Sequence, residues 1–333
     1  MQDLCLKMNI LLASDDNYTP LLAVTLYSLL ENNEKEFDKI DIYILDGGIS
    51  DHNKKRIASL CDGFDVEAPV KFIKYNNLEE LLGIKIKATR PLSSYARLFA
   101  ASLLPKSIDK IIYLDSDAIV ADCLNEVWQM DIDDYYCGAV YDIAPKYNNL
   151  YLDLPEDWIQ YNAGFLLINL KKWRDDDLEK KFLNMIVEKN GEVYNNDQGI
   201  INVICKDRIY TLPPHYNIRS PFFEVGYDKF LKWYGIDEYY SKEEVEDALA
   251  NPVFIHLTQF VNGRPWFTNA TNHPLRELFD SYVQKTDFRD EVYIEDNRHL
   301  PGKFLSFTYK ILPYSVVCGL FDIYRGYVTR KLK

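Results

Sequence analysis

Ile111-Ile112-Tyr113-Leu114 is an apolar run without alternation, and Asp115-Ser116-Asp117 follows it at once. A strand that shows no face to water lies in a sheet covered on both sides, which is the arrangement of parallel α/β folds. The N-terminal half repeats the pattern. Asn9 to Ser14, Asp41 to Leu45 and Val70 to Tyr75 read as further strands. Between them, Thr19 to Leu30 has apolar residues at helical spacing, and Ser50 caps a polar helix ending near Leu60. Ser93 to Leu104 reads as a helix with Tyr95, Leu98, Phe99 and Leu103 on one face. Strand and helix in alternation predict an α/β fold with a mainly parallel sheet flanked by helices, and in such sheets ligands sit at the carboxyl ends of the strands.

The second half is less regular, with Gly138 to Tyr141 and Phe165 to Leu170 as strands and Asp175 to Glu188 as a helix. No repeat or linker interrupts the chain before about residue 285, so residues 1–285 form one expected domain and residues 286–333 a tail. From Arg298 onward the tail carries Arg298, Lys303, Lys310, Arg325, Arg330, Lys331 and Lys333 against the single acid Asp322. The chain as a whole is acidic, 38 Lys and Arg against 51 Asp and Glu for a net charge of −13, which argues against nucleic acid as a partner. A basic tail rich in Phe304, Phe307, Ile311, Leu320, Tyr324 and Tyr327 suits peripheral contact with an anionic membrane, and equally a terminal helix packed on an acidic body.

Six scattered cysteines, Cys5, Cys61, Cys123, Cys137, Cys205 and Cys318, form no C-x-x-C pair and suggest reduced thiols rather than a disulfide framework or a zinc ribbon. The start, Met1-Gln2-Asp3-Leu4, lacks the regions of a signal peptide, and no apolar run approaches the roughly 20 residues of a membrane span. A cytoplasmic protein, peripheral at most to the inner face of the membrane, is expected. Met8, just before the first strand, is an alternative start.

Chemistry concentrates at the strand ends. Asp115 and Asp117, one residue apart, point the same way from an extended segment and suit a hard divalent cation, Mn²⁺ or Mg²⁺. A solvated acidic turn is the plain alternative, and the apolar residues on both sides weigh against it. A phosphatase motif of the D-x-D-x-[TV] type would make Asp115 a nucleophile, but position 119 is Ile and the motif follows the fourth strand, not the first. Ala13-Ser14-Asp15-Asp16-Asn17-Tyr18 offers carboxylates and an aromatic ring, or simply a helix cap before Pro20. Asn162-Ala163-Gly164, placed before a strand, allows close backbone approach, and Asn196-Asp197-Gln198-Gly199 sets an acid and an amide ahead of an apolar run. His256 follows the apolar Val253 to Ile255, with Arg264 a loop's length beyond.

Taken together, Ala13 to Tyr18, Ser94-Tyr95-Ala96-Arg97-Leu98, Tyr113 to Asp117, Tyr161 to Phe165, Asn169 to Trp173, Asp197-Gln198 and His256 with Pro265-Trp266 resemble glycosyltransferase family 8 over residues 8 to about 285, nearest to bacterial galactosyl- and glucosyltransferases of lipooligosaccharide synthesis. The resemblance implies a GT-A fold, Rossmann-like and nucleotide-binding, and transfer of glucose or galactose from a UDP-sugar with retention, using Mn²⁺. Carried over, Asp115, Asp117 and His256 would bind the metal. Ala13, Asp15, Asn17 and Tyr18 would hold the uridine; Arg97, Asp115, Ser116, Asn162 and Ala163 the donor; Arg264 the diphosphate. Gln198, Asp197 and Asp142 would serve the transfer itself, Gln198 or Asp197 beside the developing cation and Asp142 at the junction of donor and acceptor. The acceptor would be a glycan or lipid-linked oligosaccharide. A catalytically silent UDP-sugar-binding protein is the alternative, against which the intact residue set argues. One departure stands out. Where the family shows H-x-x-G-x-x-K-P-W, this chain has two extra residues between His256 and Pro265, Gln259 in place of the Gly and Arg264 in place of the Lys.

Overall fold

The computed structural model describes residues 6–75 and 92–332; Met1 to Leu4, Cys5 and Lys333 lie outside the described residues. Its strands are β1 Lys7–Ser14, β2 Lys39–Asp46, β3 Val70–Lys74, β4 Lys110–Leu114, β5 Ala118–Val120, β6 Cys137–Tyr141, β7 Tyr161–Asn169, β8 Ile209–Thr211, β9 Ile218–Arg219 and β10 Phe254–His256. Seven of them form one sheet in the order β3-β2-β1-β4-β7-β6-β8. All of these pairings are parallel except the two that β7 makes with β4 and β6. A three-stranded sheet, β5-β10-β9, stands apart.

The continuous apolar runs bury both faces, as expected. Ile10, Leu12, Ile112 and Leu114 join one core cluster, while their neighbours Leu11, Ile111 and Tyr113 join the other. Strand alternation sends successive residues to opposite faces, so each run feeds two cores. The helix Thr19–Glu31 covers the first of these and is buried along most of its length. Ser50 accepts from the Asn53 amide and caps the helix Asp51–Cys61.

Two expected helices take other forms. Leu92–Phe99 is a 3-10 helix that passes into a short α-helical turn, Ala100–Leu103. The helix expected over Asp175 to Glu188 begins at Leu178, and a separate short helix, Leu170–Asp175, precedes it; Asp177, with φ +49°, divides the two. A left-handed non-glycine residue ends one helix and redirects the chain into the next. Asn162-Ala163-Gly164 lies inside β7 rather than before it, and β7 is buried over all nine residues.

Beyond residue 285 the chain stays on the body through Phe288 and Val292, both buried in the larger core. Two helices close the chain, Leu300–Ile311 and Tyr314–Leu332. Val317 and Cys318 pack with Trp233 and Val261 in a small core of their own. Phe304, Phe307, Ile311, Leu320, Ile323 and Tyr327 remain exposed, each by more than half. Among the described residues no helix is long and apolar enough to cross a membrane. The cysteines Cys61, Cys123, Cys137, Cys205 and Cys318 are free thiols.

Candidate active site

The carboxyl ends of β1 and β4 point to one edge of the sheet, and β7, running the other way, brings its first residues there. The turn after β4 is fixed from beneath. Buried Thr25 donates from its hydroxyl to the carbonyls of Ser116 and Ala118, and the Ser116 hydroxyl donates to the Ala13 carbonyl at 2.7 Å, tying the first loop to the acidic turn. Asp115 is held from its backbone, whose N–H donates to the Gly164 carbonyl at 2.8 Å.

His256 reaches the same place through the small sheet. The β5–β10 register sets His256 opposite Ala118, one residue from Asp117, and the Leu257 amide donates to the Asp117 carbonyl. His256 Nε2 lies 3.6 Å from Asp115 Oδ2 and 3.4 Å from Asp117 Oδ1. One ligand atom from each of the three falls within 4.8 Å of the others. Two carboxylates and an imidazole make a mixed oxygen and nitrogen donor set that suits a divalent ion with positions left open. The His256 ring stands against Gly164. A Cβ there would sit 2.4 Å from Cε1 and 2.5 Å from Nδ1, so the glycine is required by the close approach of the ring rather than by its backbone angles.

Three guanidiniums balance the acids. Arg264 pairs with Asp117 and donates to the Leu257 carbonyl at 2.8 Å, which draws the longer loop after His256 back onto the acidic turn. Burial opposes ionisation of Asp117, yet Arg264 and His256 outweigh it and hold its carboxyl well below the usual range. Arg97 lies 3.0 Å from Asp115 Oδ1 and 2.8 Å from Asp197 Oδ2, donates to the Ala163 carbonyl, and stacks 3.9 Å above the Tyr113 ring. Tyr113 in turn donates its hydroxyl to Asp115 Oδ1 at 2.8 Å. Burial pushes the Asp197 carboxyl up to about 6 against the pull of Arg97, and the Asp115 charge adds to the push. The third, Arg219, pairs with Asp142.

Asp197 and Gln198 occupy the first turn of the helix Asn196–Ile204, entered through Asn195 and Asn196 at φ +55° and +48°. That tight entry aims the Gln198 amide across at β7. Its Oε1 accepts from the Ala163 N–H and from Asn162 Nδ2, 3.2 Å each, and its Nε2 donates to Asp142 Oδ2 at 2.8 Å. Asn162 is pinned through Oδ1, which accepts from the Gly164 N–H and from Asn217 Nδ2. A cleft of about 250 Å³ opens between Arg97, Asp115, Asp142, Asn162, Gln198 and His256. A larger hollow of about 550 Å³ beside Ser102 and Arg174 holds groups that already have partners: Glu179 meets Ser102, and Arg174 donates to main-chain carbonyls.

At the rim, Asp15 Oδ1 accepts from the Tyr18 N–H and shapes the loop, while Asn17 and Tyr18 face outward, Tyr18 48% exposed. Arg264, Asp117 and Asp115 all act electrostatically on the Tyr18 hydroxyl, so the loop borders the acidic turn. The candidate site residues therefore line or border one edge of the sheet, whereas Asn169 to Trp173 lie at its opposite edge, at and past the far end of β7. Sequence reasoning did not find Arg219, Asn217 or Tyr113. Tyr113 sat in a run read as core, and the other two follow a proline-rich turn with no periodic signal.

The family model of glycosyl transferase family 8 matches residues 9–270. The chain belongs to this family, and it is a glycosyltransferase of the GT-A fold. General stress protein A of Bacillus subtilis is 28% identical over 284 residues, which span 84% of this chain and 94% of that protein. A lipopolysaccharide 1,2-glucosyltransferase of Escherichia coli is 25% identical over 325 residues, 92% of this chain and 89% of its own. Among solved structures, the galactosyltransferase LgtC in complex with donor and acceptor sugar analogs superposes with a TM-score of 0.68 at 25% identity, covering 85% of this chain and 100% of that one. A nucleotide-sugar donor and a glycan acceptor go with this class of enzyme.

Proposed function

We propose that the chain transfers a hexose, glucose or galactose, from a UDP-sugar to a glycan acceptor of lipopolysaccharide or another cell-surface polysaccharide, with retention of configuration, and that Asp115, Asp117 and His256 hold Mn²⁺ for it. The observation that carries this reading is that two members of that triad, Asp115 and His256, line one cleft with Gln198, Asp142 and Asn162. The names of the relatives support the substrate classes. Bound there, the metal would supply Lewis-acid neutralisation of the charge left on the departing diphosphate.

The chain's own groups account for the remainder. Ala13, Asp15, Asn17 and Tyr18 form a rim on which the uridine rests. Arg97, fixed between Asp115 and Asp197, offers a buried guanidinium to the donor sugar. Arg264 stands ready to exchange Asp117 for the diphosphate. The Gln198 amide and the Asp197 carboxylate present oxygen toward the cation that develops at the anomeric carbon, and Asp142 borders the acceptor side. Front-face attack, in which the acceptor enters on the leaving-group side, fits an amide better than a covalent adduct does. The phosphatase reading fares worse, since Asp115 Oδ1, engaged by both Arg97 and Tyr113, is poorly free to attack phosphorus.

The exposed apolar face of the tail, with Lys303, Arg330 and Lys331 on the same helices, supports peripheral contact with an anionic bilayer at which a lipid-linked acceptor would lie. The test of the central reading is UDP release from a panel of UDP-sugars, with Mn²⁺ or with EDTA. Metal-dependent release from a single sugar establishes the reaction and names the donor. The absence of both UDP release and metal-dependent UDP binding by calorimetry would refute it in favour of a protein with a degenerate site.

A further inference from the structure

Arg219 is deep in the protein, its side chain 12% exposed, on the two-residue strand β9 that runs beside His256 in the small sheet. Its guanidinium makes two contacts toward the cleft. NH1 pairs with Asp142 Oδ1 and donates to the Ile143 carbonyl at 3.2 Å. The phenol-bearing side chains of Tyr234 and Tyr239 lie around it, and the Phe230 ring is 5.6 Å away. Nothing else in this surrounding carries a negative charge to equal Asp142, whose own side chain is 9% exposed.

Asp142 in turn is fully engaged. Oδ1 receives the Ile143 N–H at 2.9 Å, Arg219, and Asn162 Nδ2 at 3.5 Å, and Oδ2 receives Gln198 Nε2 at 2.8 Å. An ionised carboxylate only accepts, so the face of the Gln198 amide turned to Asp142 must be NH₂. The opposite face, Oε1, then meets two donors, the Ala163 N–H and Asn162 Nδ2. Turning the amide over would set oxygen against carboxylate and NH₂ against two N–H groups, losing all three bonds at once. The polarity of the Gln198 amide is therefore set from two sides, by the donors at Ala163 and Asn162 and by the Asp142 carboxylate that receives its Nε2. Burying a carboxylate is costly unless a counter-charge stands beside it, and Arg219 is the counter-charge beside Asp142.

We infer that Arg219 is a positioning residue for sugar transfer: it holds the Asp142 carboxylate in place and, through it, anchors the NH₂ end of the Gln198 amide beside the reacting sugar. This rests on the function proposed above and adds a residue to it. Among the described residues no contact joins Arg219 to the side chains of the metal triad or to the rim that would hold uridine, so its loss is expected to act chiefly on turnover.

The test uses the full-length protein with Mn²⁺ and the UDP-sugar that the wild type turns over. Arg219→Met, which keeps length and removes charge, is expected to lower kcat about 100-fold, the scale of a 1 Å misplacement, with donor KM unchanged. UDP and Mn²⁺ affinities measured by calorimetry should match wild type. Arg219→Lys, which restores the charge without the fork, should recover a large part of the lost kcat. The double variant Arg219→Met with Asp142→Asn should fall no further than the worse single one, because both break one chain. A merely structural ion pair would instead lower the melting temperature, metal affinity and kcat together, and that pattern overturns the inference. So does an Arg219→Met enzyme with wild-type kcat. Should Arg219→Met not fold, Asp142→Asn carries the test from the other side: it is expected to lower kcat with donor KM unchanged, and wild-type kcat in that variant overturns the inference. Failure of the underlying function looks different, since the wild-type protein would then release no UDP from any donor.

Discussion

Gly164→Ala tests whether His256 is held where a metal needs it. The new Cβ would lie 2.4 Å from His256 Cε1 and 2.5 Å from Nδ1, while carbon atoms settle at about 3.5 Å or more. The ring must therefore retreat by about 1 Å, several times the roughly 0.2 Å tolerance of a metal–ligand distance. β7 is unable to yield in its place, being buried over its whole length and paired on both sides. Overpacking of this kind costs about 1–3 kcal/mol, which a domain of this size survives. The expected outcome is a folded protein whose Mn²⁺ affinity drops by about 10- to 100-fold, the range seen when a ligand loses its support. Calorimetric titration with Mn²⁺, beside circular dichroism and a melting curve, reads both quantities. A folded Gly164→Ala protein with wild-type Mn²⁺ affinity would refute the reasoning and remove His256 from the ligand set.

Three further outcomes are expected. Asp117→Asn leaves Arg264 and His256 without the carboxylate between them, and Mn²⁺-stimulated UDP release should vanish while the melting temperature stays within a few degrees; stimulation equal to wild type would dismiss the triad. Glu224 is sealed beside His273, 3.7 Å from its Nε2, and burial pushes its carboxyl up from 4.5 to about 7. Because the folded value is the higher one, the stability given by the protonated form is complete below pH 4.5 and is lost as pH rises through 7. Glu224→Gln should therefore gain stability over wild type between pH 5 and 8 by roughly 3 kcal/mol in chemical denaturation, and a pH-independent difference would contradict the sign. Leu320→Glu with Ile323→Glu places two acids on the exposed face of the last helix and should abolish sedimentation with phosphatidylglycerol vesicles without changing UDP release; undiminished sedimentation would end the membrane proposal.

The sheet was legible because unbroken apolar runs such as Ile111 to Leu114 admit few other fates, and the acids at their ends had nowhere to point but the sheet edge. Asp115, Asp117, His256, Asn162 and Gln198 were found for that reason and through the order in which their motifs occur. What stayed hidden depends on partners distant in sequence. Arg219 meets Asp142 across 77 positions, and a two-residue strand carries no period by which to place it. Gly164 was legible as a small residue, but its cause, the ring of His256, appears only once β10 is laid beside β5. The break at Asp177 escaped notice because an acid is unremarkable on a polar helix face until its backbone turns left-handed.

The reversed direction of β7 has a consequence for how this enzyme can vary. Because β7 starts at the cleft and then runs into the interior, Asn162 and Ala163 are anchored by a nine-residue buried beam, where a parallel strand would have handed them to a loop. Asp142 follows β6 and opens into the partly exposed segment after Ile143, while the chain after Arg219 turns back into the core through Pro221 and Phe222. Under the function proposed above, the side that would grip the donor is thus set in the framework, and the side that would meet the acceptor is continuous with the chain after Ile143. A new acceptor would then be accommodated by rewriting that one segment while the donor side is left undisturbed.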